Sequence, residues 1–196
     1  MIQGTSTKKM KKLEYKNFDL KKVKVNSKNG IYVEFYDLTS KNDLLSIDSD
    51  SVPHEDLFDA LSKFKEPMGT SLGILKGFLF ARVHLRDNLD LLKQAIDGYA
   101  SEVERCNVGG VNFVGSGENE GLRITGSLRC DIGSVGMSTS TIKFDDQESD
   151  LGELVFELSA ALKNEVFAFI YQGKRANDLF SDVPAETGLN NLKKVV

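Results

Sequence analysis

The stretch KVKVNSKNGIYVEFY, residues 22–36, decides how this chain is read. Apolar and polar residues alternate through Lys22, Val23, Lys24 and Val25 and again through Ile31, Val33 and Phe35, the two-residue period of a half-buried strand. Between the two runs Asn26, Ser27, Lys28, Asn29 and Gly30 supply turn chemistry, with Gly30 as the position expected to accept a positive φ. The predicted element is a β-hairpin with a basic outer face. Lys22 and Lys24 lie opposite Val23 and Val25, and Tyr32 and Tyr36 lie opposite Ile31, Val33 and Phe35. If the turn pairs Val25 with Ile31, Lys24 faces Tyr32 across the ladder.

Upstream of the hairpin Leu13 and Tyr15 alternate with charge, whereas residues 1–10 lack periodicity and are expected to form a loose arm, with Met10 as an alternative start. Downstream, residues 37–52 are polar and serine-rich, with at most a short strand at 44–47. Leu57, Leu61 and Phe64 predict a helix after Pro53 that Pro67 stops. Residues 74–85 read as a buried strand. Leu89, Leu92, Ile96, Tyr99, Val103 and Cys106 step by three and four, predicting a helix that closes before Gly109. Residues 111–114 and 122–130 predict a second hairpin, with Leu122, Ile124, Leu128 and Cys130 on one face and residues 115–121 as its loop. A further strand is expected over 137–144. Asp145 and Glu148 have capping-box spacing, and Leu151, Val155, Leu158, Leu162, Val166 and Phe169 predict a long amphipathic helix ending at Gly173. Residues 165–171 also have strand propensity, but the helical spacing runs through them without a phase break. The expected fold class is α+β: two antiparallel hairpin units and about three helices. A single domain over 11–173 is expected between the arm at 1–10 and a flexible tail at 174–196.

Charge is uneven along the chain. Residues 1–30 hold nine lysines against Glu14 and Asp19, a balance of +7, and the remainder carries −11. A basic segment on an acidic protein attracts phosphates locally even when the net charge is negative. Lysines interleaved with tyrosines on an exposed sheet suit single-stranded DNA, because cations hold phosphates while rings stack on bases. This makes Lys22, Lys24, Tyr32 and Tyr36 the candidate nucleic-acid-binding residues. The alternative is a solvated edge hairpin whose lysines guard against aggregation.

Catalytic signatures are missing. His54 and His84 are the only histidines, and Cys106 and Cys130 lack zinc-site spacing, so no metal, cofactor or catalytic residue is expected. The two cysteines fall at apolar phases and are expected as free thiols in a reducing cytoplasm. The glycine-rich stretch 114–121 lacks the following helix that a phosphate loop needs. Its carboxylate pairs, like Asp48/Asp50 and Asp145/Asp146, fit solvated loops or caps. No apolar run is long enough to cross a membrane, and no secretory signal is expected. A site assembled only in space is invisible at this level, so an enzyme stays a minority alternative.

Asp178-Leu-Phe180 stands in a polar, acidic context that suits a short docking peptide. It resembles the end of the bacterial sliding-clamp-binding peptide, with Ala176 where that peptide has glutamine. The partner-binding residues implied are Asp178, Leu179 and Phe180; the alternative is that Leu179 and Phe180 fold back onto the domain. More broadly, five pieces resemble uncharacterised bacteriophage and prophage early-region proteins. These are the hairpin ending at Tyr36, Pro53-His-Glu-Asp-Leu57, Gly110-Val-Asn-Phe113, Leu122-Arg-Ile-Thr-Gly126, and Tyr171-Gln-Gly-Lys-Arg-Ala176 with Leu179-Phe180. The resemblance implies a phage protein of the host cytoplasm that neighbours replication and recombination functions. The expected function is non-enzymatic support of DNA replication or recombination by binding single-stranded DNA or a replication partner. The rivals are a protein-binding inhibitor of a host defence or regulatory system and a small virion subunit.

Overall fold

The computed structural model describes residues 13–39, 43–74, 89–146, 150–176 and 192–194, and has the α+β class that the alternating and helical patterns predict. It divides into two compact units, residues 1–55 with 163–196 and residues 56–162. The divisions fall inside helices, where a sequence reading for linkers finds nothing to mark.

The first unit is built on strands β1 (Phe18–Val25), β2 (Ile31–Asp37) and β3 (Asp43–Ser49), paired antiparallel in chain order. Val25 pairs with Ile31 and Lys24 with Tyr32, the register expected from the turn. The turn is held by Asn26, whose side-chain oxygen accepts from the backbone N–H of Lys28 at 3.0 Å and of Gly30 at 2.9 Å. The positive φ belongs to Asn29, at 60°, and not to Gly30. Gly30 is required for another reason: a Cβ there would lie 2.0 Å from the carbonyl oxygen of Ser49. Residues 43–49 form a full seven-residue strand where only a short one was expected. Alternate residues along β1 and β2 are buried: Phe18, Leu20, Val23, Ile31, Val33 and Phe35. Phe18 anchors the cluster, with ring centroids 4.8 Å from Phe35, 5.5 Å from Phe167 and 6.3 Å from Tyr171.

The last two rings come from the C-terminal helix. Its regular part, Leu151–Phe167, continues as a π-helical turn, Ala168–Gln172, that ends at Gly173 with φ 73°. Helix is therefore the outcome for residues 165–171. Two parts of the expected tail have regular partners. Arg175 bridges to Pro53, and Leu192–Lys194 pairs antiparallel with β3.

In the second unit, α1 (Glu55–Ser62) and α2 (Lys65–Ser71) replace the single helix that Pro67 was expected to stop. Pro67 sits in the first turn of α2, where its missing N–H costs no hydrogen bond. Helix α3 (Leu89–Arg105) follows the three-and-four stripe but ends one residue early, because Cys106 opens strand β4 (Cys106–Val114) opposite Leu128. A buried cysteine satisfies either phase, so periodicity could not place that boundary. Lys65 pairs with Glu104 at 2.9 Å, and the Tyr99 hydroxyl donates to Glu66, tying α2 to α3.

Strand β4 pairs with β5 (Gly121–Cys130), which pairs on its other side with β6 (Gly133–Ser138) and β7 (Ile142–Lys143). The strand expected over 137–144 is thus two strands. Thr139 separates them, its N–H donating to the Ile124 carbonyl at 2.9 Å while its hydroxyl accepts from the Ile124 N–H at 3.0 Å. Asp145 does not cap the C-terminal helix α4 (Leu151–Phe167), which begins after Asp150; Glu148 lies outside the described residues. So do residues 1–12 and 75–88, and with them the expected arm and most of the expected strand at 74–85. Both cysteines are free thiols, and burial pushes that of Cys106 up.

Candidate nucleic-acid interface

Because β1 and β2 bury one set of alternate residues, the other set forms a second face. Antiparallel register puts Lys24, Tyr32 and Asp48 in one row, Lys22, Glu34 and Ser46 in the next, and Asp19, Tyr36 and Leu44 in a third. The structure therefore brings Lys22, Lys24, Tyr32 and Tyr36 together on one face. The second candidate, Asp178, Leu179 and Phe180, lies outside the described residues.

Sequence reasoning missed Lys21. The ladder shifts register between Leu20 and Lys22, so Lys21 is an extra residue in β1 and leaves the buried face. Alternation alone would have turned it toward the core. The bulge gives two successive lysines two different rings. The Lys21 ammonium lies 5.4 Å from the Tyr36 ring centroid and the Lys22 ammonium 5.4 Å from that of Tyr32.

Carboxylates are threaded through the same face. Lys21 pairs with Asp19 at 3.0 Å and Lys22 with Glu34 at 3.3 Å, while the Tyr32 hydroxyl donates to the same Glu34 oxygen at 2.6 Å. That hydrogen bond, with burial second, pushes the Tyr32 phenol up to about 12. Glu34 was legible in principle, since it stands between Tyr32 and Tyr36 in the same alternation. Lys24 is exposed and makes no ion pair among the described residues.

The face thus sets Lys21, Lys22 and Lys24 against Asp19, Glu34 and Asp48. Partly exposed ion pairs of this kind are worth about 0–1 kcal/mol, so exchanging either carboxylate for another anion would cost little. Among the described residues no group of three or more histidine, cysteine, aspartate or glutamate side chains is arranged to hold a metal ion. Among them, too, no helix is long and apolar enough to cross a membrane. No family model matches the chain, and neither the curated proteins nor the solved structures contain a match.

Proposed function

We propose that this chain is a non-enzymatic phage protein that supports DNA replication or recombination by holding single-stranded DNA on the outer face of β1 and β2. The observation that carries the reading is the pairing of two half-buried tyrosines with two lysines at equal 5.4 Å distances, with Lys24, exposed and without an ion pair among the described residues, alongside. The phage origin and the link to replication rest on the sequence resemblance alone.

The spacing of the rings favours a single strand over a duplex. Tyr32 and Tyr36 lie four residues apart on β2, about 13 Å along a strand. Stacked bases rise about 3.4 Å each, so bases bound to the two rings are not neighbours in a stack and must be splayed from the strand. Each ring then takes a base while the lysines take the phosphates between them. A duplex keeps its bases paired and cannot present them this way.

The test is the affinity of the full chain for a labelled single-stranded oligonucleotide and for its duplex at low salt. Single-strand preference is expected, with Tyr32→Ala weakening binding by about 1 to 3 kcal/mol if a base stacks there. Equal affinity for the duplex, or an unaltered affinity in Tyr32→Ala and Tyr36→Ala, would remove the stacking platform.

A further inference from the structure

Resting on the single-strand reading above, we infer that Lys193 is a further phosphate-binding residue of the same face, contributed by the C-terminal strand β8 (Leu192–Lys194). A bound single strand then crosses the sheet from β1 to β8. The path follows the strand order β1, β2, β3, β8, all within the first unit.

Register places the lysine. β8 runs antiparallel to β3, setting Leu192 against Ile47, Lys193 against Ser46 and Lys194 against Leu45. Ladder partners share one face of a sheet, and successive residues of a strand alternate between faces. Followed across the sheet, the row of Val23, Val33 and Ile47 ends at Leu192, and those three residues are buried. The next row runs Lys22, Glu34, Ser46 and Lys193. An apolar residue thus stands in the core row and a lysine at the outer position; a slip of one residue would exchange them.

That position decides the charge of the face. Lys21, Lys22 and Lys24 are matched by Asp19, Glu34 and Asp48, and β3 offers Leu44, Ser46 and Asp48 without a cation. Lys193 tips the balance to positive, on the side where β3 has only a carboxylate. Neighbouring strands lie about 4.8 Å apart, so the backbones at Lys22 and Lys193, three spacings apart, are separated by about 14 Å. Tyr32 and Tyr36 belong to the rows on either side of this one. A single strand whose bases reach both rings therefore meets a lysine position at each end of the row between them, one on β1 and one on β8.

The test is the salt dependence of single-stranded oligonucleotide binding by the full chain, as wild type, Lys193→Gln, Lys193→Arg and Lys194→Gln. Lys193→Gln should lower the negative slope of log Kobs against log salt concentration by about 0.7, the share of one phosphate contact on a single strand. Lys193→Arg should keep the slope, because the charge stays. Lys194→Gln should keep it too, since Lys194 stands in the row of buried Leu20 and Phe35. The two glutamine variants have the same net charge, so a difference between them reports register and not a generally basic end. Melting temperatures check that all variants fold. An unchanged slope in Lys193→Gln, or equal losses in both glutamine variants, overturns the inference and leaves the single-strand reading standing. A wild-type chain that binds no oligonucleotide at low salt overturns that reading, and the role of Lys193 with it.

Discussion

Gly30→Ala should destabilise the first unit by more than its single methyl suggests. The new Cβ would lie 2.0 Å from the Ser49 carbonyl oxygen and 2.9 Å from both the Asn26 side-chain nitrogen and Asp50 Cα. Two of these neighbours are backbone and cannot swing aside. Relief requires the end of β3 to move off β2, which breaks the bond from the Asn26 side-chain nitrogen to the Ser49 carbonyl, now 3.0 Å. Overpacking costs about 1–3 kcal/mol, and a lost hydrogen bond adds about 1 kcal/mol, giving about 2–4 kcal/mol. Gly117→Ala is the control for the other kind of glycine. It has φ +58° and open space around its Cβ position, so only backbone strain of about 1–2 kcal/mol applies. Urea denaturation of both variants measures the difference. A Gly30→Ala loss smaller than that of Gly117→Ala would refute the close-approach argument.

Other outcomes follow from single residues. The Tyr171 hydroxyl is buried without a hydrogen-bond partner among the described residues, so Tyr171→Phe should leave the urea midpoint unchanged or raise it. Tyr32 holds its proton more tightly folded than unfolded, so its contribution is fully present below the ordinary phenol value of about 10. It is lost as pH rises toward about 12; Tyr32→Phe should flatten that part of the stability profile, measured by denaturation across the alkaline range. For the partner motif, Leu179→Ala with Phe180→Ala should abolish binding to a bacterial sliding clamp in a pull-down with purified clamp; unchanged binding removes that proposal.

The hairpin was legible because its inner residues, Val23, Ile31, Val33 and Phe35, obey a strict two-residue period and its turn residues sit between two such runs. The bulge at Lys21 was not, since inserting one residue in a strand leaves no mark in composition and only reverses the expected face. For the same reason Lys21 was absent from the candidate site while Lys22 and Lys24 were found. Helix ends failed where one side chain suits two neighbours: Cys106 continues the α3 stripe and also fits the buried face of β4. Pro67 is ambiguous by itself, since proline suits a helix's first turn as well as its end. Glu34 shows a different gap. Its position on the outer face could be counted from the sequence, but its joint contact with Lys22 and Tyr32 is a matter of side-chain reach.

If the lysines of β1 hold nucleic-acid phosphates, single-stranded DNA binding must weaken with salt in proportion to the lysines engaged. Each phosphate neutralised on a single strand adds about 0.7 to the negative slope of log Kobs against log salt concentration. Replacing Lys21, Lys22 and Lys24 together by glutamine should reduce that slope by about 2 if all three make such contacts, with the melting temperature retained. An oligonucleotide that does not bind at low salt, or one that binds the triple variant with an unchanged slope, would exclude phosphate contacts by these lysines.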